Sequence, residues 1–174
     1  KKKNEHKEKE EQIKKKETKN NKITVEKIEN SIEKTTSIAV TLDKLMEKGG
    51  RARVVYILGY RSKKLIQINV IWGNPVNENP NPKSILGAAN LLRAYFFRKG
   101  FKKDDLVMNS RLDTRSMLLF RGNDAKGAMV ILIMKTPPQP KEGEEIQGKE
   151  FSLRLSYIQN PKNPDIFKVK EGEF

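Results

Sequence analysis

The segment 84–103, SILGAANLLRAYFFRKGFKK, constrains the fold of this chain more than any other. It alone combines helical spacing with many large apolar side chains, and the runs around it read as strands that need a helix to cover them. Ser84 offers a side-chain oxygen to the first free N–H groups, and Pro82, just before that cap, blocks backward extension. Gly100 stands where a left-handed closing residue is wanted, and Arg98 and Lys99 lie where the helix dipole favours cations. At about 100° per residue, Ile85, Ala88, Ala89, Leu91, Leu92, Tyr95 and Phe96 share one broad arc, which is expected to lie on a sheet. Leu86 and Phe97 fall almost opposite, with Arg93 beside them, so they need a second cover or form an exposed contact surface.

The strand signals lie on both sides of this helix. Residues 52–60 (ARVVYILGY) and 64–72 (KLIQINVIW) are rich in β-branched and aromatic residues and are joined by Arg61, Ser62 and Lys63, a hairpin pattern. Ile66, Ile68, Val70 and Trp72 form the core side of the second strand, and Leu65, Gln67, Asn69 and Ile71 the other. Gly59 marks a bulge or a close backbone approach. Pro75, Pro80 and Pro82 make 73–83 an irregular loop, and Phe101 to Ser110 is expected to turn the chain. A second hairpin is expected from Met117–Arg121 and Ala128–Lys135. AMVILIMK is apolar throughout, which predicts a central strand covered on both faces. Phe151, Leu153, Leu155 and Tyr157 alternate with polar residues and predict a half-exposed strand; Ile166, Phe167 and Val169 suggest a short edge strand.

Ahead of these, Val25, Ile28, Ile32, Thr35, Ala39, Leu42 and Met46 step by three and four residues, a heptad seam. They predict an amphipathic helix ended by Gly49-Gly50, either packed on its own domain or projecting as a self-associating coiled-coil stalk. The expected organisation is a charged tether, disordered or helical, over 1–22; the amphipathic helix over 23–50; and a basic domain over 51–174. The expected fold class is α+β: a two-layer sandwich with an antiparallel sheet of about five strands covered by one central helix.

Charge and residue types narrow the function. The chain is 33% charged and 36% hydrophobic, with a formal net charge of +14. Residues 51–136 hold sixteen Lys and Arg against five acids, so the excess belongs to the folded middle rather than to the Lys-rich start. There is no cysteine, and His6 is the only histidine, which removes thiol chemistry, His-based triads and most zinc sites. GGRARVV lacks the Lys-Ser/Thr of a phosphate loop and no G-x-G-x-x-G occurs, so no cofactor is expected. Asp104, Asp105, Asp113 and Asp124 read as counter-charges for basic neighbours rather than as a metal or acid–base pair. The chain is therefore read as a non-enzyme.

Two groups of residues carry the functional expectation. Leu86, Arg93, Phe97, Arg98, Lys99, Lys102 and Lys103 form a candidate partner-binding surface. Arg51, Arg53, Arg61, Lys63, Lys64, Arg111 and Arg115 are candidate anion contacts if the fold brings them together. The chain opens on Lys1 and its methionines begin at Met46; such a start follows removal of a signal peptide, lipobox or membrane anchor, and equally a cut in a longer chain. The expectation is a non-catalytic interaction or assembly module, a lipoprotein-like or membrane-anchored component of a cell-envelope complex. Its partners would be proteins, or itself through the 24–48 helix. The alternative is a basic nucleic-acid-binding domain in the cytoplasm. Aromatic interleaving is thin for that role, with only Tyr56, Tyr60 and Trp72 on the strands of the first hairpin.

Overall fold

A computed structural model of the chain describes residues 23–145 and 150–169. The expected tether over 1–22 lies outside the described residues. The body is one antiparallel sheet built from β1 (Thr24–Glu29), β2 (Thr36–Leu42), β3 (Ala52–Leu58), β4 (Leu65–Gly73), β5 (Val107–Arg111), β6 (Ser116–Asn123), β7 (Met129–Lys135) and β8 (Ser152–Ile158). The helix α1 (Pro82–Phe97) joins β4 to β5. Across the sheet the strands run β1-β2-β3-β4-β8-β7-β6-β5. The chain thus lays down a four-strand meander, crosses over through α1, and builds a second meander from the far edge inward. β8 closes the sheet against β4, with Val70 opposite Leu155 and Trp72 opposite Leu153.

This corrects the expected five-strand α+β sandwich. Eight strands and one α-helix among the described residues make the fold mostly sheet. The amphipathic helix over 24–48 does not form, and with it goes the coiled-coil seam and any self-association along it. Val25 and Ile28 lie on β1, Ala39 and Leu42 on β2, and Met46 in the loop beyond. The physical reason is local. Thr24, Val25, Ile28, Thr36, Ile38, Val40 and Thr41 are β-branched and stiff at χ1, which favours strands. Between them Asn30 accepts the N–H groups of Ile32 and Glu33 at 3.0 and 2.8 Å, and Lys34 takes a left-handed φ of 54°, a tight turn where the heptad needed a helix. β5 also forms in a stretch read as a turn, and the edge strand expected at Ile166–Val169 is absent.

The core lies between α1 and the sheet. Ile85, Ala88 and Ala89 of α1 are buried against Val54, Val70, Trp72, Phe120, Leu132 and Leu153, with Leu92 and Phe96 packed beside them. Leu91 and Tyr95, expected on the same arc, are exposed, because that arc is wider than the stripe one helix presses onto a sheet. The cap also differs by one turn. Asn81, not Ser84, accepts the N–H groups of Lys83 and Ser84, which places Pro82 in the first turn where its missing N–H costs nothing. The Ser84 hydroxyl instead accepts the Gly49 N–H at 2.9 Å and pins the loop after β2 over Trp72. A Cβ on Gly49, whose φ is +101°, would sit 2.7 Å from the Trp72 ring. Gly100 has no left-handed φ; α1 ends at Phe97 with Arg98 as its cap.

The C-terminal stretch is tied across the β3–β4 turn. Asp165 accepts the N–H groups of Arg61 and Ser62, and its carbonyl takes the Tyr60 N–H. Phe167 meets the Tyr60 ring edge-on at 5.5 Å, and its N–H donates to the Glu33 carbonyl. Gly59 lies beneath the Asp165 carboxylate where a Cβ would collide with it, which is the close approach expected of this glycine.

Candidate interaction surfaces

The first surface is the outer flank of α1. Leu86, Asn90, Arg93 and Phe97 follow one another at spacings of four, three and four, so they line one side of the helix. Leu86 is 40% exposed and Phe97 61%. Arg93 is held between them: its guanidinium donates to Asn109 on β5 at 2.8 Å and to Asn90 at 3.1 Å. Arg98, Lys99, Lys102 and Lys103 are exposed at and beyond the helix end, and none forms an ion pair with a described residue. The Lys99 ammonium sits 4.6 Å from the Tyr95 ring centre, and Tyr95 is itself 53% exposed. Of the seven residues of the expected partner surface, Leu86, Arg93 and Phe97 share one side of α1, while Arg98, Lys99, Lys102 and Lys103 follow its end, with Lys99 against Tyr95 on the other side.

The seven candidate anion contacts do not converge. Arg51, at the start of β3, pairs with Asp43 at 3.1 Å. Arg61, Lys63 and Lys64 lie in the β3–β4 turn at the opposite end of the sheet, with Lys63 over the Tyr60 ring. Arg111 ends β5 and Arg115 lies in the β5–β6 turn, both at one edge of the sheet. There Arg111 donates to the Asp113 carbonyl, while Arg115 pairs with Glu150 and donates to the Thr136 carbonyl. Arg53 pairs with Glu26 at 2.9 Å. Four of the seven are already engaged by carboxylates or carbonyls, and exposed pairs of this kind each contribute little to stability.

The second surface was not singled out from the sequence. It is the sheet face opposite α1. The strand register places Arg53, Ile71, Arg154, Ile133 and Leu118 in one row across β3, β4, β8, β7 and β6. The next row carries Val55, Asn69, Ser156, Ile131 and Arg121. Asn69 and Ser156, directly opposite each other, are only 6% and 7% exposed, and Gln67 donates to Asn69 at 2.9 Å. β7 was expected to be covered on both faces. Val130, Leu132 and Met134 meet the helix-side core, but Met129, Ile131 and Ile133 on the other face are covered by no described helix or strand. The signal was present in the unbroken apolar run of β7; the arginines became visible only once the register placed β8 beside β7.

Carboxylates serve turns here. The backbone N–H groups of Arg115 and Ser116 hold the Asp113 carboxyl below its usual range. Ser62, then the Arg61 and Ser62 backbone, do the same for Asp165. Among the described residues no three His, Asp or Glu side chains gather as metal ligands, and Asp104 and Asp105 lie exposed in a single 3-10 turn. No described helix is long and apolar enough to cross a membrane. Comparison with known protein families, with curated proteins and with solved structures gives no match.

Proposed function

We propose that this chain is a non-catalytic assembly module that holds a protein partner on the outer flank of α1. One observation carries the reading. Leu86 and Phe97 stand exposed in line with the half-buried Arg93, while the segment expected to cover them forms β1 and β2 and meets α1 through the loop after β2, at Ser84 and Gly87. An aromatic anchor beside a fixed arginine, with exposed cations following at the helix end, is the composition of an interface centre with a charged rim. The partner then presents an apolar pocket for Phe97 and carboxylates for Arg98, Lys99, Lys102 and Lys103.

Photo-crosslinking tests this. A photoreactive side chain replaces Phe97, or Leu112 as an exposed control in the β5–β6 turn, in the cells that make the protein. A protein adduct of fixed mass from position 97 alone is expected. Equal patterns from both positions overturn the reading. The rival reading as a nucleic-acid binder rests on the same cations. It requires tight binding with a steep negative slope of log affinity against log salt, lost in Arg93→Glu with Arg98→Glu. The proposal expects no such binding at physiological salt.

A further inference from the structure

We infer that the sheet face opposite α1 is a second docking site, and that its occupant is an acidic amphipathic helix of a partner protein. Eight strands at about 4.8 Å spacing make a sheet roughly 34 Å across, and a helix about 10 Å wide covers a fraction of one face. On the face away from α1, Ile71, Ile131 and Ile133 form an apolar floor that no described helix or strand covers. A strand apolar on both faces is normally covered on both, so the pattern of β7 calls for a layer that the described chain does not supply.

Charge selects the occupant. The strands present Arg53, Arg121, Lys135 and Arg154 on this face, against Glu26 as their single carboxylate, and Glu26 is already paired with Arg53. Arg121, Lys135 and Arg154 form no ion pair with a described residue. The Arg53 Nε is shielded and has no hydrogen-bond partner among the described residues. At one end the C-terminal stretch rises beside Ile57, Gln67 and Ile158 and borders an open cleft of about 690 Å³ whose lining balances Lys64 and Lys126 against Glu33 and Asp165, so the basic excess of the face lies along the strands. The Lys-rich stretch 1–22, with ten Lys against five Glu, has the wrong charge for this face. Nucleic acid is disfavoured because no aromatic residue of these strands points to this face for bases to stack on.

Backbone chemistry selects the helix. β8 is paired in unbroken register with β4 on one side and β7 on the other, so an occupant of the face meets side chains there rather than free backbone groups. A helix satisfies its own backbone, as α1 does on the other side. Its apolar stripe would lie on Ile71, Ile131 and Ile133, and its acidic flanks would meet Arg121, Lys135 and Arg154.

Selection of binders from a random peptide display library against the whole chain tests this. The best enriched peptide is then titrated into the protein and into two folded variants, Arg121→Glu with Arg154→Glu, and Phe97→Ser. The expected peptide is acidic, amphipathic at helical spacing and helical when bound, and the face variant weakens it by about tenfold or more. The Phe97→Ser variant leaves its affinity unchanged, which separates this site from the α1 flank. Methyl NMR shifts should move at Ile131 and Ile133. Enriched peptides that are basic or extended, binding that survives the face variant, or RNA that competes for the same arginines would each overturn the inference.

Discussion

Asp165 closes the β3–β4 turn from across the chain: its carboxylate accepts the Ser62 N–H at 2.8 Å, 103 residues away. It accepts the Arg61 N–H at 3.0 Å as well, and Gly59 leaves the room it needs. A C-terminal stretch with no strand of its own is thereby fastened to the first hairpin.

Asp165→Ala should therefore release this stretch and lower the melting temperature, with Tyr60 and Phe167 gaining exposure to proteolysis nearby. The same bond carries a pH dependence. Ser62 first, then the Arg61 backbone, hold the Asp165 carboxyl below its ordinary value in the folded state. A carboxyl depressed on folding stabilises above its unfolded pKa and loses that contribution as pH falls through its folded one. Acid unfolding should thus become shallower in Asp165→Asn, seen as a smaller drop in melting temperature between neutral pH and pH well below the ordinary carboxylate range.

Gly49 and Gly50 allow a paired prediction. Both have positive φ, but a Cβ on Gly49 meets the Trp72 ring while one on Gly50 meets nothing within 4 Å. Gly50→Ala should cost about 1 kcal/mol, from strain alone. Gly49→Ala should cost more, about 2–3 kcal/mol, and should shift Trp72 fluorescence. Equal costs, with Trp72 undisturbed, would mean that the loop after β2 does not lie on that ring.

The two sides of α1 should differ as sharply. Leu132 is fully buried beneath the helix, so Leu132→Ala should cost about 2–5 kcal/mol in chemical denaturation. Leu91→Ala, on the exposed flank, should stay within about 0.5 kcal/mol. Similar losses at both positions would place Leu91 in the core after all.

Local signals were legible where a segment's own pattern decides its structure. A helix within 84–103, the hairpin of β3 and β4, the core side formed by Val70 and Trp72, and the close approach at Gly59 follow from spacing and composition, although the ends of the helix do not: Asn81 and Arg98 cap it in place of Ser84 and Gly100. The segment 24–48 misled because three- and four-residue steps between Val25 and Met46 fit a helix while its β-branched residues and the Asn30 turn favour two strands. β5 was missed because five residues with a left-handed Asn109 carry almost no alternation. Of the surfaces, the α1 flank could be read from one helix. The open sheet face could not: Arg154 and Ile133 are neighbours only through the pairing of β7 with β8, which is a fact of topology.

The central claim is that the Leu86–Arg93–Phe97 flank serves assembly and not folding. The most direct measurement is Phe97→Ser, read in two ways on one preparation: thermal unfolding of the purified chain, and native mass of the complex it enters in the cell. The account predicts a melting temperature unchanged within error and a complex that falls to the mass of the free chain. Loss of the folded state, or a complex of undiminished mass, would contradict it.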